Sequence, residues 1–300
     1  MTASTTFQRL DGKSVAQALQ SETADKVAAH IAQGLPVPTL AAVLVGDDPA
    51  SQVYVRNKER ACHRVGIASQ LHRMPASATT EQIVELVQRL NSDIHIHGIL
   101  VQLPLPPSVN TQAVLDTVDP GKDVDAFHPL NVGLISQGRP RFLPCTPHGI
   151  LKILKHYRLK TAGQHVCVIG RSDIVGKPMA MMLAQKDIGL GPDYANATVT
   201  LCHSRTQKLE QIAASADILI AAIGQPEFVT AEMVKPGAVV IDVGINRVGD
   251  RLLGDVDFDA VSPHASYITP VPGGVGPLTV TMLLENTLKA AQLRNESDHI

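Results

Sequence analysis

Tyr54 and Lys58 lie four residues apart in SQVYVRNK, directly after an Asp-Pro pair that reads as the opening of a helix. Residues at that spacing are separated by about 40° around a helix axis and about 6 Å along it, so the phenol and the amine project from one face. Such a pair can orient a flat substrate and manage protons beside it. It can equally be ordinary amphipathic packing, with Lys58 in solvent. Gln102 ends the apolar part of GILVQLPLPP (98–107), and the C-terminal ends of buried strands are where ligands of open α/β sheets bind. The prolines that follow fix an extended lip. An amide there offers two donors and a carbonyl acceptor, or is simply a strand end. In KDVDAFHP (122–129), Asp123 and Asp125 are two apart, which in extended chain sends both carboxylates the same way. As a turn former, Asp125 would carry no chemistry.

A second kind of site appears in HVCVIGRSDIVGKPMAMMLA (165–184). A buried strand ends at Gly170, Gly176 opens a helix, and Pro178 fixes its first turn. Strand, glycine turn and helix start together place backbone N–H groups and the helix dipole against phosphate. Arg171 and Ser172 stand where the second glycine of the standard dinucleotide fingerprint would be, so a plain connecting turn is the alternative. The next strand, ATVTLCHS (197–204), ends without the acid that would bind a ribose hydroxyl. Arg171, Ser204 and Arg205 could instead hold a 2′-phosphate through charge-assisted hydrogen bonds, which favours NADP over NAD. The Tyr-x-x-x-Lys pair is similar to that of short-chain dehydrogenases, but there it follows the glycine turn, and here it long precedes Gly170.

The elements that must carry these residues are legible as alternating patterns. Apolar runs at 39–46, 97–103, 165–170, 197–204, 216–224 and 238–246 read as buried parallel strands. Amphipathic stretches at 79–91 and 177–186 read as helices. Repeated βα units predict an α/β protein with two domains and a cleft between them. The proline- and glycine-rich segment 120–149 breaks the rhythm and suggests the hinge. The expected division is 1–146 for a catalytic domain and 147–276 for a Rossmann-like nucleotide domain, with a helix over about 277–294 packing back on the first. The tail QLRNESDHI is expected to fray.

Composition limits the partners. With 44% hydrophobic residues, 18% charged residues, a net charge of −2 and no long run of like charge, neither nucleic acid nor an anionic membrane is expected as a partner. Cys62, Cys145, Cys167 and Cys202 are dispersed with no CxxC pair, which argues against zinc or a disulfide framework and predicts buried thiols in a reducing compartment. No bound metal is expected. The opening MTASTTFQRLDG lacks the pattern of a secretory leader, and no eighteen apolar residues run together, so the cytoplasm is the expected location.

VGDDPASQVYVRNKERACHRVGI, GILVQLPLP, KDVDAFHPLNVG, PCTPHGI, VVIDVGIN and YITPVPGGVGPLTV, spread from residue 45 to 280, closely resemble the bifunctional methylenetetrahydrofolate dehydrogenase/cyclohydrolase family. The resemblance implies NADP-dependent oxidation of 5,10-methylenetetrahydrofolate, then hydrolysis of the methenyl product to 10-formyltetrahydrofolate, and a homodimer. It makes Lys58 the principal catalytic residue, has Tyr54 stack on the folate and Gln102 hydrogen-bond Lys58, and has Asp125 grip the pterin. Leu103, Pro104, Pro272, Gly273 and Gly274 would line the folate pocket. Gly170, Arg171, Ser172, Gly176, Ser204, Arg205 and Ile245 would meet the coenzyme. A lysine with its ordinary pKa of about 10.4 stays protonated near neutrality, so a base at Lys58 would call for burial beside the cationic intermediate and a hydrogen bond from Gln102. Two departures stand out: Ala126 replaces the glycine that usually follows the aspartate, and DIGLGPDYANATV (187–199) is longer than the usual connection. Two other readings remain: a different NADP-linked dehydrogenase acting on a hydroxy or amino acid, and a non-catalytic folate or dinucleotide sensor.

Overall fold

The computed structural model describes residues 7–297. In chain order its elements are β1 (Gln8–Arg9), α1 (Gly12–Ala32), β2 (Thr39–Val45), α2 (Pro49–Val65), β3 (Ala68–Met74), α3 (Thr80–Ser92), β4 (Gly98–Val101), α4 (Thr111–Thr117), α5 (Pro129–Ser136) and α6 (Cys145–His156). They continue with β5 (His165–Ile169), α7 (Gly176–Leu183), β6 (Thr198–Cys202), α8 (Leu209–Ala213), β7 (Ile218–Ala221), β8 (Val239–Asp242), β9 (Asn246–Val248), β10 (Arg251–Leu253), α9 (Phe258–Val261), β11 (Tyr267–Ile268) and α10 (Gly276–Ser297). No helix among the described residues is long and apolar enough to cross a membrane.

The described residues form two compact units. The first comprises those up to Ala16, Ile135–Pro140 and Thr146–Thr279; the second comprises Gln17–Leu134, Arg141–Cys145 and those from Val280 on. Each unit is thus built from discontinuous stretches of the chain. β1 joins the first unit because it pairs in parallel with β11. The distal part of α10 joins the second, where Asn286 donates to the carbonyls of Val124 (2.7 Å) and Leu143 (2.9 Å). Segment 120–149 is where the chain passes between units, and it holds α5 rather than an open linker. Residues 292–297 continue α10 instead of fraying, while 298–300 and the residues before Phe7 lie outside the described part.

In the first unit the sheet order is β1-β11-β8-β7-β5-β6, parallel throughout. The runs VCVI of β5 and ILIA of β7 are buried on both faces, as a covered parallel sheet requires. From β5 the chain moves outward to β6, then returns to β7 on the other side. The C-terminal end of β5 is thus a switch point, where such sheets open a crevice. In the second unit the order is β3-β2-β4, again parallel, with TLAAVLV of β2 buried at every position. β2 is the switch strand there. β3 escapes the apolar pattern because it is an edge strand and only half-buried.

The extended connection before β6 is stitched down. Asp187 accepts from the N–H groups of Gly189 (2.8 Å) and Gly191 (3.0 Å), Thr161 Oγ1 donates to Ala195 O (3.0 Å), and Asn196 Nδ2 donates to Lys186 O and Pro192 O. The four cysteines are buried free thiols.

Candidate active site

Helix α2 is set by its ends. Asp48 accepts from Ser51 N at 2.7 Å as N-cap, Pro49 occupies the first turn, and Gly66, at φ 81°, closes the C-terminus with its N–H on the carbonyls of Cys62 and His63. Val55, Ala61, Cys62 and Val65 bury one face, which leaves Tyr54 40% exposed and Lys58 half-buried. Burial of the ring holds the Tyr54 phenol above its ordinary pKa.

Lys58 Nζ donates to Gln102 Oε1 at 3.0 Å. Gln102 follows β4 directly. Its backbone N–H still donates to Val43 O of β2 (2.9 Å), and its side-chain Nε2 donates to Leu103 O (2.7 Å). The amide therefore turns its acceptor, not its donor, toward the amine, the reverse of the hydrogen bond that sequence reasoning anticipated. The bond to Leu103 fixes that orientation. Leu103 and Pro104, joined by a cis peptide, continue the chain past the sheet end.

Asp125 arrives by a different route. Segment 122–124 lies along β4, with Ile99 N donating to Lys122 O at 2.8 Å. Lys122 Nζ donates to the carbonyls of Leu90, Asn91 and Asp93 at the C-terminal end of α3. Asp123, also buried, accepts from the N–H groups of Phe127 (3.2 Å) and His128 (2.8 Å) and from Asn131 Nδ2 (2.7 Å). The two aspartates do not share an extended chain. The backbone turns between them, with Ala126 N donating to Asp123 O (3.1 Å), because Asp123 organises the turn that presents Asp125. Ala126 sits at φ 59°, in the left-handed region. Burial pushes the Asp125 carboxyl up to about 6, against the pull of the Lys58 ammonium and with a smaller contribution from Asp123. Sequence reasoning missed Asp123, Asn131 and Lys122 as organisers, since only the fold brings their partners near.

In the first unit, Gly170 (φ 124°) and Gly176 close the turn after β5. A Cβ on Gly170 would collide with Ala222 O, and one on Gly176 with Gly170 O, so both positions demand glycine. Ser172 Oγ accepts from Val175 N (3.2 Å) and Gly176 N (3.3 Å) at the start of α7, which leaves its own hydroxyl proton free to donate to an anion. Arg171 is exposed beside it. At the end of neighbouring β6, His203 N donates to Thr206 Oγ1 (2.9 Å), tying a turn with Ser204 and Arg205 at its exposed tip. No carboxylate lies in that turn. Ile245, 45% exposed, follows β8. Pro272, Gly273 and Gly274 precede α10, and Lys13 N donates to Gly273 O (3.1 Å) while Gly274 packs so closely on Gly12 that a Cβ there has no space. The described structure thus gathers Lys58, Gln102 and Asp125 in one unit, and the glycine turn, the Ser204–Arg205 turn, Ile245 and Pro272–Gly274 in the other.

Residues 10–125 match the family model described as the catalytic domain of tetrahydrofolate dehydrogenase/cyclohydrolase, and residues 144–295 match that family's NAD(P)-binding domain. The chain belongs to the tetrahydrofolate dehydrogenase/cyclohydrolase family. It is 63% identical to the bifunctional protein FolD of Rhodopirellula baltica over 97% of this chain and 99% of the relative. The crystal structure of the Campylobacter jejuni FolD methylenetetrahydrofolate dehydrogenase/cyclohydrolase superposes with a TM-score of 0.90 at 44% identity, covering 96% of this chain and 99% of that one. The Trypanosoma brucei enzyme, solved with NADP and an inhibitor, gives 0.90 at 39% identity, covering 96% and 98%. Like those members, this chain is an enzyme with both a dehydrogenase and a cyclohydrolase activity.

Proposed function

We propose that one site around Lys58 serves both steps: NADP-dependent oxidation of 5,10-methylenetetrahydrofolate, and hydrolysis of the resulting methenyl cation to 10-formyltetrahydrofolate. The observation that carries this reading is the Lys58 Nζ to Gln102 Oε1 bond at the C-terminal end of the three-stranded sheet, with Asp125 close enough for its charge to feel Lys58. The glycine turn fits a dinucleotide, because its Cβ-free backbone, the Ser172 hydroxyl and the start of α7 together form a cradle for phosphate. Bound NADP supplies the acceptor for the hydride that leaves the bridging methylene carbon.

The chain's own groups do the rest. Asp125, ionised above about pH 6, accepts from the N–H groups of the pterin, and Tyr54 stacks on its ring, so the bridging carbon is held in one place. In hydrolysis, water adds to that carbon and gives up one proton to solvent; the adduct's hydroxyl then loses its proton as the carbonyl forms, the carbon–nitrogen bond at N5 breaks, and N5 gains a proton. The Lys58 ammonium delivers the proton to N5 and recovers one from the hydroxyl, and Gln102 keeps it aimed by accepting from it. The division we propose is 1–146 with the end of α10 for folate chemistry and 147–276 for the coenzyme. Arg171 and Arg205, with no acid in the turn that carries Ser204 and Arg205, support NADP over NAD, and we propose cytoplasmic tetrahydrofolate chemistry by a homodimer.

An absorbance assay with methylenetetrahydrofolate and each coenzyme tests the function directly. NADP-dependent formation of the methenyl product, followed by its hydrolysis, is expected. Turnover of a hydroxy or amino acid with no response to folate favours the other dehydrogenase reading, and folate binding without turnover favours the sensor. Light scattering reads the dimer, which a mass near 32.0 kDa at micromolar protein refutes.

A further inference from the structure

Asp242 and Asp255 form a pair of buried carboxylates that the reaction does not use. Asp255 is wholly buried; its Oδ2 accepts from the N–H groups of Ile223 (2.6 Å) and Gly224 (2.9 Å), and its Oδ1 from Asn246 Nδ2 (2.9 Å). Asp242 accepts from Gly244 N and Asp255 N (both 2.9 Å) and from Val256 N (3.0 Å). Burying one carboxylate is unfavourable, and a second beside it adds repulsion. Each is tolerated because three N–H donors satisfy its oxygens. Gly244 and Gly254 are shaped to this pair. A Cβ on Gly244 would strike the Asp255 carboxyl, and one on Gly254 the Asp242 carboxyl.

What Asp255 holds is informative. Ile223 and Gly224 follow Ala222, the residue whose carbonyl sits where a Gly170 side chain would be, so this loop backs the glycine turn. Asn246 adjoins Ile245, and on its other side Gly244 is tied to Asp242. One carboxylate thus anchors the loops after β7 and β8, both at the C-terminal edge of the sheet that carries the glycine turn.

We propose that Asp255 is a positioning residue for the coenzyme: it sets Ile223–Gly224 and the Ile245 segment against the glycine turn, and it serves dehydrogenation but not hydrolysis. The proposal rests on the reading of that turn as the NADP site. Its test is the ratio of two activities in one molecule, with cyclohydrolase assayed without NADP as the measure of intact fold. Asn246→Ala removes only the Oδ1 partner, and Asp255→Asn keeps an acceptor for Ile223 and Gly224 while losing the charge. Loss of a hydrogen bond to a buried carboxylate predicts a rise in KM for NADP of about tenfold in Asn246→Ala, with KM for folate unchanged. Asp255→Asn is expected to show a smaller rise, because the Asn246 amide can rotate to present its oxygen. Cyclohydrolase rates stay within about twofold of the parent if the fold is intact. Parental NADP kinetics in both variants, or cyclohydrolase falling in step with dehydrogenase, overturns the proposal. Parent protein that hydrolyses methenyltetrahydrofolate but never uses NADP overturns the coenzyme reading and this inference with it.

Discussion

The Lys58 cluster and the glycine turn occupy equivalent places in their units, each at the C-terminal edge of a parallel sheet beside its switch strand, yet they are made of different material. Around Lys58 the working atoms are side chains: an amine donating to an amide oxygen, and a carboxyl whose pKa burial lifts to about 6. At 170–176 the site is set by backbone shape: Gly170 and Gly176 carry no Cβ because the carbonyls of Ala222 and Gly170 lie where one would be, and Ser172 ties down the start of α7. The first kind of site should tolerate changes of backbone shape but not of side-chain chemistry. The second should behave in the opposite way.

The largest effect is expected at Lys58. Lys58→Met keeps the reach of the side chain and removes the ionisable nitrogen, so loss of proton transfer predicts a fall in cyclohydrolase turnover of about 10²–10⁴-fold. Dehydrogenase turnover, which depends mainly on orientation, should fall less, and NADP affinity should persist. Tyr54→Ala should impair both activities. Arg56→Ala, about 200° around the helix from Tyr54, should impair neither. Parental hydrolysis by Lys58→Met, with unchanged NADP affinity, removes Lys58 from the mechanism.

Gly176→Ala makes the reciprocal change. One methyl group would meet Gly170 O, and relieving that overlap costs about 1–3 kcal/mol, which predicts roughly tenfold to hundredfold weaker NADP binding. Cyclohydrolase measured without NADP should be spared. Titration of NADP by fluorescence decides it, and a Gly176→Ala protein that binds NADP like the parent contradicts a backbone-built site.

The same contrast explains what could be read from sequence. β2, β5, β7 and β8 carry the apolar runs LAAVLV, VCVI, ILIA and VVI, nearly all buried, which made them visible. β3, ASQLHRM, was hidden because an edge strand has no neighbour on one side and keeps polar residues. β1 and β11, two residues each, are too short for any period to register. The glycine turn was legible because glycine spacing encodes backbone shape directly. Lys58, Gln102 and Asp125 were legible as candidates, and through the family resemblance as a set. The direction of the Lys58–Gln102 bond was not, since the Leu103 carbonyl decides it. Nor was the role of Asp123, whose partner Asn131 reaches it only through a turn and the start of α5.

A more modest test concerns pH. Asp125 titrates near 6, above its ordinary 3.8, because burial outweighs attraction by Lys58. A raised carboxyl favours the folded state fully below about pH 4, and that contribution is lost as pH rises through 6. It is on the order of 1–3 kcal/mol. Substrate binding runs the other way, since only the ionised carboxylate accepts with both oxygens from the pterin N–H groups. The kcat/KM for folate should therefore climb as pH passes 6, while the Tm of Asp125→Asn gains on the parent over the same interval. A parent profile with no limb near pH 6, or a Tm difference that is flat in pH, separates Asp125 from both roles.

The smallest expected effect is at Ala126, where an alanine takes the left-handed turn beside Asp125 that the family resemblance would give to a glycine. At φ 59° an alanine bears about 1–2 kcal/mol of strain that glycine would not. Against this, the Ala126 methyl is buried, and its removal forfeits about 0.8 kcal/mol. Glycine also gains freedom in the unfolded chain, worth another 0.4–1 kcal/mol or so. These effects nearly cancel, so Ala126→Gly should change unfolding free energy by less than about 1 kcal/mol. Both activities should stay near parental, because Asp123 and its three donors, not residue 126, define the turn. Ala126→Val breaks the cancellation: a β-branched residue at positive φ is a genuine outlier and should lower Tm and folate affinity together. If Ala126→Gly instead moves KM for folate severalfold with Tm unchanged, the methyl itself shapes the Asp125 pocket, and the side-chain site is less tolerant of its backbone than the glycine turn comparison implies.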